Sequence, residues 1–261
     1  MKWISILVAE ARREMNRSVA YRLEFVADQA LFIFGFLLLS GIFYILTDGG
    51  YTKQQQWMSL LGFVTWRVAD GVMLRSVSTI DEETQWGTFE QIWLTSTSPR
   101  IILLCRTIVV LVSYLLRAVL LGGILQVTLR IPVQFTASMV AVFLLSQFGV
   151  IGIAYILMGL QLTYKRVTSL TLAFSTSLLF VTGALAPYGH VPWLAMVVQL
   201  LPLGPGIHLL QTHLTQSSSI GWFGLEGIWL ILHSVIYFVI GQTVFIWGER
   251  NARLRGSLGH Y

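Results

Sequence analysis

The acidic side chains of this chain are sparse, yet Asp81, Glu82, Glu83 and Glu90 crowd into one short stretch, interleaved with Thr84, Gln85, Thr88 and Gln91. Carboxylates, amides and hydroxyls at this density, with no histidine or cysteine among them, suit recognition rather than bond making. An apolar chain keeps so polar a segment only where water or another protein meets it, because an unpaired carboxylate in hydrocarbon costs several kcal/mol. The stretch reads as a docking element, with Glu82, Glu83, Gly87, Thr88, Phe89, Glu90, Gln91 and Trp93 as its candidate contacts.

A second set of charges lies inside apolar runs. Arg67 and Asp70 stand three residues apart, close enough to pair on one helical face, and Arg117 lies deep in a later run. A charge at the bilayer centre costs about 2.5–3.5 kcal/mol on insertion scales, so these three should face the protein interior or a watered cavity. They are candidates for a translocation path or, equally, for a network tying two helices together. Asp28 needs to do no more than stay at headgroup level. The five histidines are scattered, with no H-E-x-x-H, so no metal site is expected. No G-x-S-x-G elbow occurs and no catalytic group is assigned. Cys105 is the single cysteine, which excludes an intrachain disulfide, and its expected role is a small apolar residue in a helix.

Hydrophobic residues make up 55% of the chain and charged residues 11%, with a mean hydropathy of +0.72. Soluble domains carry roughly 25% charged residues, so the composition is that of an integral membrane protein. Continuous apolar runs of about 20 residues, enough to cross about 30 Å of hydrocarbon, imply helices rather than a barrel. Six spans are expected, over residues 25–46, 57–80, 100–129, 136–162, 167–187 and 222–247. Of the 17 Lys and Arg residues, only Lys53 and Arg130 fall at the outer ends of these spans. The positive-inside bias therefore puts both termini in the cytoplasm of a multi-pass protein of the inner (plasma) membrane. The net charge of +5 belongs to anionic lipid headgroups in this setting, not to nucleic acid.

The elements that position these groups follow from spacing. Ile4, Leu7, Val8, Ala11, Met15 and Val19 recur at helical intervals opposite Glu10, Arg13, Glu14 and Arg17, which predicts an amphipathic interfacial helix over residues 1–22. The apolar run from Ile4 to Ala9 is too short and too soon followed by charge to read as a secretory signal. Gly87 should interrupt the helix continuing from span two. Thr88 and Gln91 form a T-x-x-Q capping box that restarts a short helix near residues 89–96, with Phe89, Ile92 and Trp93 on one face. Ser98 and Pro99 then make a natural N-cap and first helical residue. Residues 188–220 are punctuated by Pro192, Pro202 and Pro205 with Gly189, Gly204 and Gly206. Their apolar core, Trp193 to Leu201, is too short to cross, so a broken or re-entrant helical element at the outer leaflet is expected there rather than a seventh span. A single transmembrane domain over residues 1–261 results, with a tail after residue 247.

The run E-x-x-x-G-T-x-E after the second span, here Glu83, Gly87, Thr88 and Glu90, resembles the permease subunits of type-2 ATP-binding-cassette (ABC-2) exporters. The likeness covers nearly the whole chain: the amphipathic N-terminal helix, six spans with both ends inside, and the Pro-punctuated outer hairpin. Departures are Phe89 where family members commonly carry Leu, Trp86 where they carry a basic residue, and Leu201-Pro202-Leu203-Gly204-Pro205-Gly206 where many carry Asn-Pro. The resemblance implies that the polar stretch is a coupling helix seated in a groove of a separate cytoplasmic ATPase subunit, which would hold ATP and Mg. It also implies a second permease subunit, identical or related. Consistent with that division, the chain has no G-x-x-x-x-G-K-[ST] loop. The expected function is export of an amphiphilic or lipid-linked substrate or drug. The alternative is a membrane-anchored protein that recruits a cytoplasmic partner without transport.

Overall fold

The computed structural model of the chain describes residues 2–94, 97–130, 136–185, 192–216, 222 and 224–254; the side chains of Lys2, Glu90, Trp93, Thr215, Gln216 and residues 192–195 lie outside that description. The described residues are helical throughout, with α1 (Lys2–Ala20), α2 (Arg22–Leu46), α3 (Lys53–Gln85), α4 (Phe89–Trp93), α5 (Pro99–Leu129), α6 (Ala137–Tyr164), α7 (Thr168–Val181), α8 (Pro192–Leu200), α9 (Gly204–Gln216) and α10 (Leu225–Leu254). Four of them, α2, α5, α6 and α10, are long and apolar enough to cross a membrane. Their outward faces carry large apolar side chains, among them Leu31 and Phe34 of α2, Leu116 and Val127 of α5, and Val235 and Val239 of α10. That is the surface of a helical protein whose solvent is lipid.

Two of the six expected spans do not meet this condition, for different reasons. The 33-residue α3 is long enough but carries Arg67, Asp70 and Arg75, and it is the central helix, packed by α5, α6, α7 and α9. A helix surrounded by protein has no need of an apolar circumference. By contrast, α7 has 14 residues, about 21 Å, and stops at Val181 rather than continuing to 187. Past it, the backbone at Ala184 lies so close to Gly62 that a Cβ there would sit 2.1 Å from the Ala184 carbonyl oxygen. Span six runs further than expected, to Leu254.

The most intimate contact joins α6 to α10. Gly152 and Gly159 face Gly241 and Gly248 at matching seven-residue spacing, and a Cβ on Gly241 or Gly248 would lie 2.1 or 2.2 Å from a carbonyl oxygen of α6. Without a hydrophobic driving force between helices in lipid, such backbone approach is the main source of packing energy.

The re-entrant expectation resolves into two helices. Trp229 Nε1 donates to the Gln199 carbonyl (3.1 Å) and the Tyr237 hydroxyl to that of Leu200 (2.8 Å), so α8 ends well down the flank of α10. After the buried Leu203, α9 rises through the core, burying Ile207 and Leu210, until the Leu214 carbonyl meets the Gln54 side-chain amide at the far end (3.2 Å). Pro187, Gly189 and Trp193 fall outside the described residues or side chains.

Candidate functional site

The polar stretch begins as the end of α3. The Trp86, Gly87 and Thr88 amides donate to the carbonyls of Glu82 (3.0 Å), Thr84 (3.2 Å) and Glu83 (3.0 Å), and Gly87 takes φ +67°. This paired closure around a left-handed glycine is a Schellman motif. It ends the helix where the sequence places the break, and it fixes the direction in which the chain leaves. The T-x-x-Q pattern points the Thr88 hydroxyl forward to Gln91. Instead it turns back and donates to the Glu83 carboxylate, locking the elbow onto α3. The helix that follows, α4, covers residues 89–93 rather than 89–96. At the start of α5, Pro99 takes the first helical position, although the Ser98 hydroxyl makes no cap bond.

Glu83 is not the solvated carboxylate the composition suggests. It is 5% exposed and receives Arg13 of α1 (2.7 Å) and Arg106 of α5 (3.1 Å). Arg106 in turn holds Glu10 (2.9 Å), while Glu82 pairs with Arg17 and Arg75 (3.0 Å each) and Arg75 reaches Glu14 (3.6 Å). These pairs stitch α1, α3 and α5 together. The charged face of α1 therefore points into the bundle, while Ile4, Val8, Met15 and Val19 point out.

Burial pushes the Glu83 carboxyl up, but the Thr88 hydrogen bond and the Arg106 and Arg13 charges outweigh it and hold the group below its ordinary value of 4.5. A carboxyl depressed in the folded state contributes stability that is present above its unfolded value and lost as the pH falls through the folded one. The thermal midpoint should therefore hold level down to about pH 5 and fall at lower pH, with Glu83→Gln flattening part of that fall.

Phe89 also turns inward. It is fully buried among Ile80, Leu103, Tyr155, Met158 and Phe245, so α4 is seated on α3, α5, α6 and α10 at once. Beside it, Glu249 of α10 is clamped by Arg100 and Arg253 (3.0 Å each), and the Tyr155 hydroxyl donates to the Arg100 carbonyl (3.1 Å). What the elbow presents to the outside is Trp86 (65% exposed), Gly87, Gln91 and Leu94 (86%). The side chains of Glu90 and Trp93 lie outside the description. Of the eight residues singled out in the sequence, Glu83, Thr88 and Phe89 are thus the mount of the elbow and Gly87 and Gln91 part of its face. Trp86 and Leu94 were missed, because an exposed aromatic and an exposed leucine carry no sequence signal in so apolar a chain.

The charges within the long apolar runs form a different grouping from the expected triad. Arg67 pairs with Asp70 (2.9 Å) and with Asp28 of α2, and Asp70 accepts from Ser175 of α7 (2.6 Å). Arg117 does not join them directly: it donates to Ser18 of α1 (3.0 Å), lies 3.8 Å from Glu14, and stacks on Phe25 and Tyr114. The Tyr114 ring, which also faces Arg67, links the two centres. Asp28 is therefore a structural ligand of Arg67 and not merely a headgroup-level residue. The cavity between the centres measures about 130 Å³, room for a few waters and not for an amphiphile in this conformation.

Among the described residues no cluster of His, Cys, Asp and Glu could hold a metal ion. No protein-family model matches the chain, and no curated protein sequence matches it significantly.

Proposed function

We propose that the chain is the transmembrane permease subunit of an ABC-2 type exporter, driven by a separate cytoplasmic ATPase subunit that binds ATP and Mg. The observation that carries this reading is the Glu83-Gly87-Thr88 elbow: a mount buried in four helices and an exposed tip of Trp86, Gln91 and Leu94. A docked partner would thus push on the bundle itself instead of on a loose loop. In this reading α3 and α7 complete six spans, both termini and α4 face the cytoplasm, and a second permease subunit, identical or related, completes the path. Transport then works by population shift, since ATP-driven closure of the partner can favour one state only by contacting the two states differently. Arg67, Asp70 and Arg117 flank the path, and amphiphilic or lipid-linked cargo suits its apolar walls.

The test is copurification with the ATPase subunit followed by turnover in the reconstituted complex. Proline fixes φ near −65° and cannot take the left-handed conformation at Gly87, so Gly87→Pro should abolish association or leave ATP turnover unresponsive to cargo. Trp86→Ala should weaken association by about tenfold or more, as for an exposed aromatic anchor. Unchanged association and turnover in both variants would overturn the docking assignment. Association without any cargo movement in the wild type would favour a membrane-anchored recruiter instead.

A further inference from the structure

Between α3, α5 and α6, in the halves nearer Lys53 and Arg130, lies an apolar slot of about 440 Å³. Leu60 and Val64 of α3, Ala118 and Val119 of α5, and Met139 and Phe143 of α6 wall it. Along α5 its lining runs from Leu115 to Gln126, about 16 Å at helical rise, which is close to the roughly 15 Å hydrocarbon depth of one leaflet.

The slot exists because side chains are missing from α5. A Cβ on Gly123 would meet nothing within 4 Å, and one on Gly122 would meet only a Val64 methyl at 3.4 Å. Protein interiors are otherwise close-packed, so a void of this size beside two adjacent glycines is a built opening. Val119, Val140 and Leu144 in its lining are exposed, so the mouth opens sideways into lipid.

Charge marks one end. Lys53 stands one helical turn beyond the lining residue Trp57, and Arg130 one turn beyond Gln126. The Lys53 ammonium donates to the Leu129 carbonyl (2.9 Å), which brings it beside Arg130. Among the described residues, these are the Lys and Arg side chains at this end of the bundle, and both are exposed one turn beyond the end of the slot's lining.

We propose that the slot holds one acyl chain of an anionic phospholipid from the surrounding leaflet, with the phosphate at Lys53 and Arg130. The assignment requires only that the chain lies in a bilayer and is independent of the permease reading. An acyl chain matches the length and apolarity of the slot, and a negative headgroup matches the paired cations.

The experiment uses the full chain in nanodiscs of mixed phosphatidylglycerol and phosphatidylcholine, with lipids retained after extraction counted by native mass spectrometry. The wild type should keep one phosphatidylglycerol per chain. Gly123→Leu should fill the slot and reduce that retained lipid to background. Lys53→Gln with Arg130→Gln should cut the preference for phosphatidylglycerol by about fivefold per charge removed, leaving the slot open to phosphatidylcholine. Equal retention of both lipids by the wild type would mean annular lipid only and would overturn the assignment. So would undiminished lipid in a folded Gly123→Leu chain, or a loss of self-association there with the lipid count unchanged, which would make a second copy the occupant. Should Gly123→Leu not fold, the double variant decides alone, and an unaltered preference rejects the proposal.

Discussion

Glu83→Ala is expected to destabilise the protein by about 3–5 kcal/mol and to loosen α1 on the bundle. The reason is the company the carboxylate keeps. Arg106, with a side chain 11% exposed, and the more exposed Arg13 both point at it, and its removal leaves the buried Arg106 guanidinium with Glu10 as its ion-pair partner. Losing one partner of a buried pair costs far more than the pair itself contributes, because the remaining charge stays desolvated. Thr88 loses its carboxylate acceptor in the same step and keeps the longer bond to the Glu83 carbonyl (3.3 Å), so the elbow loosens together with α1. Thermal melting in detergent, with disulfide trapping between cysteines introduced on α1 and α5, would measure both. A variant that melts within about 1 kcal/mol of wild type with α1 still trapped, as an exposed pair would allow, would show the cluster to be marginal.

Gly241→Leu should be comparably damaging by a different route. Its Cβ would lie 2.1 Å from the Gly152 carbonyl oxygen, and the obstacle is backbone, so no rotamer change can relieve it. The two helices must separate, and at least about 3 kcal/mol of packing is lost, the upper range for overpacked cores. The paired change Gly152→Leu should be no rescue, because each leucine meets the other helix's backbone. Expression level and melting midpoint decide this. By contrast, Gly41→Leu on α2, where a Cβ meets nothing within 4 Å, should be tolerated and serves as the control.

What the sequence made legible were features with local causes. Gly87 had to end a helix, Pro99 had to begin one, and the charged and apolar stripes of α1 were visible in its spacing. The direction in which those stripes face was not visible. Spacing says that Glu10, Arg13, Glu14 and Arg17 share a side, but whether that side meets water or Arg106, Glu83 and Arg75 depends on helices distant in the chain. The same limit bears on the span count. Apolarity tracks the surface offered to lipid, and the central α3, packed by α5, α6, α7 and α9, carries charge that a lipid-facing helix would not, while α7 stops at 14 residues and the chain beyond it packs on Gly62. Arg67 and Asp70 were legible as a pair at three-residue spacing, whereas Asp28 and Ser175 enter through the tertiary fold alone.

The glycine rows between α6 and α10 have a mechanical consequence. Helices whose main chains touch along several turns cannot slide or tilt against each other without steric collision, so the pair behaves as a solid spine. The first long apolar helix is at the other extreme: α2 buries only Phe32 and Phe36, which pack on Phe63, and its ion-pair link to α3 runs through Asp28. Any rearrangement of this protein is thereby channelled to one side. The α6–α10 pair is thus expected to move as one body, with α2, which buries the fewest residues of the long apolar helices, expected to shift against it.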